Sequence, residues 1–318
     1  MQCMEIWGGN QAVDTGIAMS GLDAWLYSKP YGQSHEGGDV YYVSSCATGR
    51  ITRLLVADVA GHGGTVGRIA IDLRGLMRQF VNYLDQTHFV REMNTRFSAL
   101  SRDGCFATAV IATFFAPTNL LSLCNAGHPP PILYRASERR WRLVDRKPTE
   151  SRSGDNPDRI VNLPLGIQEL ADYQQFDLKL EPGDLVVCYT DSLIESRDAT
   201  GELLGPQGLL RILLSLEPTD PQTVIPQLLA AIEAEAPGNL TGDDVTVLAY
   251  RPNGKPPQAS ISQRLLAPAR VLRGVVGAIR AGVAVPWPDL NLANLGGAWI
   301  SRLNHAWKGK GGEMKNDE

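Results

Sequence analysis

Aspartates at the ends of strand-like segments are the residues of this chain whose type and placement could do chemistry. Asp58 follows a short apolar run and precedes a glycine-rich turn, and Asp191 ends a second apolar stretch in the same way. Asp39 begins a third stretch, and Asp243 with Asp244 begins a fourth. If these strand ends converge, they form an all-oxygen pocket of the kind that Mg²⁺ or Mn²⁺ prefers. One aspartate that bridges two ions about 3.5–4 Å apart could help hold a water that attacks phosphorus.

Each of these aspartates also has a simpler interpretation. Aspartate is common in turns, where its side chain accepts hydrogen bonds from backbone amides, and for any single one we favour that role. The four strand ends together leave a metal site and ordinary turns as open alternatives. Gly61 to Gly64 precede a helical pattern and could bind a phosphate, but they lack the lysine and the spacing of a P-loop.

A predicted hairpin brings the first two acids together. Residues 39–46 are β-branched and aromatic, which is typical of a strand, and residues 48–50 form a turn into a second strand over 51–59. Because the strands of a hairpin run antiparallel, the start of the first and the end of the second lie at one edge. The sequence therefore predicts that Asp39 and Asp58 lie close together.

The remaining elements are grouped by type. Helical spacing predicts helices over 66–84, 89–100, 206–216 and 221–235. Apolar or alternating stretches predict strands over 23–28, 105–115, 120–125, 131–134, 141–144, 176–180, 184–191 and 243–250, while 1–10 give no clear signal and 146–163 are expected to be loop. This grouping favours an α+β fold with antiparallel sheets over a doubly wound fold.

Composition limits the classes of function. The net charge of −4 gives no support for nucleic-acid binding. Five cysteines without C-x-x-C spacing are expected to be reduced core residues of a cytoplasmic protein. There is no signal-peptide pattern at the N-terminus and no run of about 18 apolar residues that could span a membrane.

Charge and composition divide the chain in two. Residues 1–254 carry 21 Lys/Arg and 30 Asp/Glu, whereas 255–318 carry 9 and 4. We therefore expect a catalytic domain over 1–252 and a basic extension over 253–318, with an amphipathic helix near 268–283 and disorder from Gly309 onward. The extension could bind a regulatory partner or pack on the acidic domain; association with a membrane surface is possible but not favoured.

Seven motifs occur in the order that one known family has. They are Glu36-Gly-Gly-Asp39-Val-Tyr-Tyr, Asp58-Val-Ala-Gly-His-Gly63, Phe106-Ala-Thr108, Asn125-Ala-Gly-His-Pro-Pro-Pro131, Leu163-Pro-Leu-Gly166, Gly183-Asp184 through Tyr189-Thr-Asp191, and Gly242-Asp-Asp-Val-Thr246. Over about residues 15–251 the chain thus resembles the metal-dependent protein phosphatase 2C (PPM-type) family. The resemblance is to the branch typified by sporulation stage II protein E and by stress-response regulators that dephosphorylate anti-sigma antagonists.

The resemblance implies a fold, a cofactor and a set of roles. The family fold is an α-β-β-α sandwich of two antiparallel sheets flanked by helices, and its cofactors are two Mn²⁺ or Mg²⁺ ions. Asp58 would bridge the ions, with Asp191, Asp243 and the Val59 carbonyl as further ligands. Asp39 would bind a metal ion directly or through water, and Asp244 would contact the metal ligands rather than an ion. Metal-bound water would attack a phosphoserine or phosphothreonine of a partner protein, without a phosphoenzyme.

Two histidines and two departures from the family pattern qualify these expectations. His62 could be a general acid, but its spacing from Asp58 differs from the family's by two residues, and a local role in the turn is an equal alternative. His128 is expected to stabilise its turn. Ser192 replaces the usual glycine and Tyr42 the usual second aspartate. The alternative to an enzyme is a pseudo-phosphatase that binds a phosphoprotein without hydrolysing it.

Overall fold

The chain forms an α-β-β-α sandwich, in agreement with the expected fold class. A computed structural model describes residues 3–32, 34–46, 48–60, 64–83, 85–100, 104–144, 161–216, 221–255 and 312–313. Elements are numbered in chain order. Two helices cover one sheet, α1 (Gly64–Phe80) and α2 (Gln86–Leu100), and three lie on the other side, α3 (Ser192–Glu195), α4 (Gly205–Leu214) and α5 (Pro221–Glu235).

Sheet A has seven strands and contains the hairpin predicted to hold two of the acids. In spatial order the strands are β1 (Cys3–Gly9), β4 (Asp39–Cys46), β5 (Ile51–Val59), β6 (Ala107–Phe115), β7 (Leu120–Ala126), β10 (Gln175–Lys179) and β13 (Gly312–Glu313). Neighbouring strands pair antiparallel except for the short β10–β13 contact, which is parallel.

Sheet B has six strands and contributes the other acids. Its order is β2 (Val13–Ala18), β3 (Leu22–Lys29), β12 (Val245–Pro252), β11 (Leu185–Tyr189), β8 (Ile132–Arg135) and β9 (Arg140–Leu143). All of these pairs are antiparallel. The central strands β11 and β12 are almost wholly buried, so the residues that flank them are held on a rigid base.

Side-chain alternation divides the core into layers. On β5, Leu54 and Val56 face sheet B, whereas Leu55 and Ala57 face helices α1 and α2. Successive side chains of a strand point to opposite faces, so each strand of sheet A supplies both layers. A third apolar layer lies between sheet B and helices α4 and α5. Burial of each large apolar side chain contributes roughly 1.5–3 kcal/mol, and the inter-sheet layer fixes where the two sheets meet.

The structure differs from the sequence-based expectations at both termini and at two elements near the acids. Strand β1 lies where residues 1–10 predicted no element, and neither β2 nor α3 was predicted. The strand predicted over 243–250 begins at Val245, so Asp243 and Asp244 lie in the preceding turn. Gly312–Glu313 lie in the segment expected to be disordered from Gly309 onward, and these two residues pair with Phe176 and Asp177 at the edge of sheet A; the rest of that segment is outside the described residues.

Other expectations concern residues outside the described ranges. The loop at 146–160 and the amphipathic pattern at 268–283 are among them. All five cysteines are free thiols. None of the described helices is both long enough and apolar enough to cross a membrane.

Candidate metal centre

Asp39 and Asp58 are direct cross-strand partners on β4 and β5, so the predicted proximity of this pair is confirmed. Residues paired in this way point to the same face of the sheet. That face is the inter-sheet one, because Tyr41 and Val56, two residues away on the same strands, belong to the layer between the sheets. The apolar inter-sheet layer therefore ends in two carboxylates.

Sheet B closes this end of the sandwich with hydroxyl groups. Thr190 directly follows β11 and donates a hydrogen bond from its Oγ1 to Oδ2 of Asp39 at 2.8 Å. The same Oγ1 accepts a hydrogen bond from the backbone N–H of Thr246 at 3.0 Å. Asp39 is only 3% exposed. Its orientation is thus fixed by a residue of the opposite sheet, which the sequence analysis did not identify.

Asp191 and Asp243 add two more carboxylates at the same end. Burial raises the pKa of Asp58 to about 7, and the negative charges of Asp191 and Asp243 add to this shift. Burial likewise raises the pKa of Asp191 to about 6, with Glu195 and Asp243 as the next causes. These mutual effects place Asp58, Asp191 and Asp243 in one negatively charged region.

The pKa of Asp39 is raised, as are those of Asp58 and Asp191. Burial raises its pKa well above the ordinary value, the charge of Asp58 adds to the shift, and hydrogen bonds from Thr246 and Thr190 oppose it. No ion pair between described residues includes Asp39 or Asp58. The cluster is therefore an excess of negative charge that a cation would stabilise.

The donor set fits hard divalent cations. All of the converging side chains are carboxylates, and sulfur or imidazole ligands, which would select softer metals, do not take part among the described residues. Within those residues, no three His, Cys, Asp or Glu side chains are grouped tightly enough to hold one ion.

Asp244 holds the loop before β4 in place. Its carboxylate accepts hydrogen bonds from the backbone N–H groups of Tyr31 at 2.6 Å and of Gly38 at 2.5 Å. A Cβ atom on Gly37 would lie 2.4 Å from Oδ2 of Asp244, so any larger residue there would displace the Asp244 carboxylate. Asp244 thus acts on Asp39 through the backbone that leads into it.

The same loop is tied to the end of β5. The N–H of Val59 donates to the carbonyl of Gly38 at 3.2 Å, and a Cβ on Gly38 would lie 3.0 Å from the Val59 carbonyl oxygen. Asn10 holds the loop from the other side, through Nδ2, which donates to the carbonyl of Gly37 at 2.9 Å. The Val59 carbonyl therefore lies next to the two strand ends that carry the acids.

The two departures from the family pattern do not disturb this end of the sandwich. Ser192 is the first residue of α3 and does not have a positive φ, so the position does not require glycine. Tyr42 is 1% exposed and packs in the layer under α1 and α2. Because it is on the face of β4 opposite to Asp39, a carboxylate there would point away from the acids.

Some site residues were missed or cannot be placed. Glu195 lies one helical turn after Asp191 and raises the pKa of that residue and of Asp58, but four-residue spacing in so short a helix was not visible in the sequence. Thr190 belongs to the motif that ends in Tyr189-Thr-Asp191, but no role was predicted for it from the sequence. His62 lies outside the described residues. The turn at His128 is held by the side chain of Asn125, which bonds the His128 backbone, whereas the His128 imidazole contacts Thr108 of β6.

The fold defined by these sheets and helices is that of PP2C-type phosphatases. Residues 48–253 match the profile of the family described as "Stage II sporulation protein E (SpoIIE)", which is more than half of the chain. The chain therefore belongs to the SpoIIE family.

Two curated relatives are similar over shorter stretches. Protein IcfG of Synechocystis is 26% identical over 151 residues, which is 46% of this chain and 21% of the relative. The phosphoserine phosphatase RsbU of Bacillus subtilis is 30% identical over 104 residues, 31% of this chain and 27% of the relative. The matched stretch thus spans only about a quarter of the length of these relatives.

Solved structures agree in fold at low identity. The RsbU and RsbW domains of Rv1364c from Mycobacterium tuberculosis align with a TM-score of 0.61 at 23% identity, covering 83% of this chain and 70% of that one. The PP2C domain of SpoIIE from Bacillus subtilis, solved with a regulatory fragment, aligns with a TM-score of 0.60 at 18% identity. The alignment covers 72% of this chain and 63% of that one. RsbX in complex with magnesium aligns with a TM-score of 0.54 at 14% identity, covering 76% of this chain and 100% of that one.

Proposed function

We propose that this chain is a Mn²⁺- or Mg²⁺-dependent serine/threonine phosphoprotein phosphatase. The observation that carries the proposal is the convergence of Asp39, Asp58, Asp191 and Asp243 at one end of the sandwich without a basic partner among the described residues. Membership of the SpoIIE family and the name of its relative RsbU, a phosphoserine phosphatase, support it. The magnesium complex of RsbX, which has the same fold, agrees with the choice of metal.

Each acid has a proposed role. Asp58 would lie between the two ions, Asp191, Asp243 and the Val59 carbonyl would complete the ligand set, and Asp39 would bind directly or through water. Two bound cations would supply the charge that activates a water at neutral pH and offsets the charge of the phosphate. Thr190 holds Asp39 in one orientation for this purpose.

The leaving alkoxide must receive a proton, and the described histidine near the acids cannot supply it. Burial lowers the pKa of His128 to about 3, so its imidazole is neutral at physiological pH. His62, beside Asp58 in sequence, is the remaining histidine candidate for a general acid, and its role stays a proposal together with the alternative of a local turn contact. Water is the other available proton source.

A cavity of about 310 Å³ lies next to the proposed metal ligands. It is bordered by α3 and by the turn before β12, with Asp243, Glu195 and Arg197 among its lining residues. We propose that it receives substrate residues that flank the phosphorylated side chain. The substrate would be a phosphoserine or phosphothreonine protein, with an anti-sigma antagonist as the candidate from the family resemblance.

We further propose a catalytic domain over 1–252 that acts in the cytoplasm, in keeping with five free thiols. The basic segment 253–318 would be a regulatory or targeting extension. Deletion of residues 255–318 should leave metal-dependent hydrolysis measurable. A truncated protein that folds, as judged by circular dichroism, but has no activity would contradict this division.

The central test is hydrolysis of an aryl phosphate and of a phosphoserine peptide with and without Mn²⁺. We expect Mn²⁺-stimulated turnover by the natural chain and a loss of at least about 100-fold in Asp58→Asn, because the bridging carboxylate is removed. Asp14→Asn, on the exposed face of edge strand β2, is the matched control and should retain full activity. Absence of turnover with Mn²⁺ would favour the pseudo-phosphatase alternative, whereas full activity of Asp58→Asn would contradict the proposed role of Asp58.

A further inference from the structure

Asp58 on β5 has two cross-strand neighbours, Asp39 on β4 and Thr108 on β6. Thr108 of β6 is the direct cross-strand partner of Asp58, so both side chains point to the same face. Val110, two residues along β6, packs in the inter-sheet layer, which identifies that face. Asp39, Asp58 and Thr108 therefore form a row across three neighbouring strands.

The Thr108 hydroxyl is oriented by a buried imidazole. Its Oγ1 lies 2.8 Å from Nδ1 of His128, at hydrogen-bond distance. His128 is 5% exposed, and its neutral form has one donor and one acceptor nitrogen with which to order a hydroxyl group. The Tyr189 backbone, which directly precedes Thr190 and Asp191, also lies beside this imidazole.

The turn that carries His128 is built to hold it in one position. Oδ1 of Asn125 accepts a hydrogen bond from the His128 N–H at 2.7 Å, and Nδ2 of Asn125 donates to the His128 carbonyl at 2.8 Å. Gly127 has φ +68°, and a Cβ there would lie 2.5 Å from Pro164.

We propose that Thr108 and His128 are a positioning pair for the metal centre, in which His128 fixes the Thr108 hydroxyl beside the carboxylate of Asp58. Ligating carboxylates are usually held by groups behind them, and loss of such a group weakens metal binding about 10–100-fold. Thr190 has this role for Asp39. With the Nε2–H of His128 directed at the Tyr189 backbone carbonyl, Nδ1 is the acceptor and the Thr108 hydroxyl donates to it, so Thr108 Oγ1 keeps its lone pairs for a water held beside the Asp58 carboxylate.

This inference rests on the proposed metal centre, so its test measures metal binding without turnover. Titration of the full chain with Mn²⁺ by calorimetry should show binding about 10–100-fold weaker in Thr108→Val than in the natural chain. Thr108→Ser keeps the hydroxyl and should restore binding to near the natural level. His128→Gln should weaken binding, and adding it to Thr108→Val should cause little further loss, because both changes remove one interaction.

Thr113→Val is the control for a purely structural effect. Thr113 is on the same strand, buried, and bonded to Gln86 and Arg53 at the far end, so its loss should lower the melting temperature without changing Mn²⁺ affinity. Natural affinity in Thr108→Val, or equal weakening in Thr108→Ser and Thr108→Val, would overturn the pairing. A natural chain that binds no Mn²⁺ would instead overturn the proposed function itself.

Discussion

Asp58→Asn is expected to stabilise the fold when no divalent cation is present, although it should abolish activity. Burial and neighbouring acids raise the pKa of Asp58 to about 7 from an ordinary value of 3.8. A shift of this size corresponds to an upper bound of ~4 kcal/mol in favour of the protonated form. Screening of the repulsion by salt and solvent reduces this to roughly 2 kcal/mol that asparagine should recover near pH 8.

The sign of the pH dependence follows from proton binding. Because the folded chain holds a proton on Asp58 more tightly than the unfolded chain, its stability is fully present below about pH 4 and falls as pH rises toward 7. Thermal unfolding in a chelator should therefore show a decline in the melting temperature of the natural chain over this range. In Asp58→Asn the decline should be smaller, leaving the variant roughly 4–8 °C more stable near pH 8.

Addition of Mn²⁺ should make the natural chain more stable than Asp58→Asn. A cation present at about 100 times its dissociation constant stabilises the fold that binds it by ~2.7 kcal/mol, and Asp58→Asn should gain much less. The measurement is a set of melting curves at several pH values, with chelator and with Mn²⁺, for both proteins. A variant that is less stable than the natural chain in chelator, or that gains as much from Mn²⁺, would refute the reasoning.

Three further predictions use the same hydrogen bonds and close approaches. Thr190→Val removes the donor to Asp39 and leaves the Thr246 N–H unpaired, so it should cost about 1–3 kcal/mol in urea unfolding and weaken Mn²⁺ binding, whereas Thr190→Ser should do neither. Gly37→Ala places a Cβ against Asp244 and should lower activity without unfolding the chain, as followed by turnover and circular dichroism. A chelator should abolish hydrolysis, and Mn²⁺ should restore it; restoration by Zn²⁺ alone would contradict the all-oxygen site.

The sequence was most informative where chemistry and local periodicity coincide. The hairpin that pairs Asp39 with Asp58 follows from a β-branched run, a turn and a second apolar run, all within about two dozen residues. Because strand pairing in a hairpin is local, its register is nearly determined by the turn. The helices α1 and α5 were likewise visible from helical spacing.

Edge strands were not predictable in the same way. Strands β1 and β2 contain glycines and broken alternation, and they lie at the edges of their sheets. Their conformation depends on pairing with β4 and β3, which a local pattern does not contain. The tertiary partner determines the strand in such cases.

Contacts between residues far apart in the sequence were also not predicted. Thr190 and Asp39 are 151 residues apart, and Asp244 reaches back over 206 residues to Gly38. Both contacts depend on how two sheets are stacked, so spacing in the sequence cannot indicate them. The alternation on β11 would have placed Thr190 on the inter-sheet face once Val186 and Cys188 were assigned to it.

The most direct measurement of the central claim is anomalous diffraction from crystals of the chain grown with Mn²⁺. We expect two anomalous peaks at the end of the sandwich, with Asp58 between them and Asp191 and Asp243 around them, and we expect both peaks to disappear in Asp58→Asn crystals. No peak there at saturating Mn²⁺, or peaks that Asp58→Asn leaves unchanged, would contradict it.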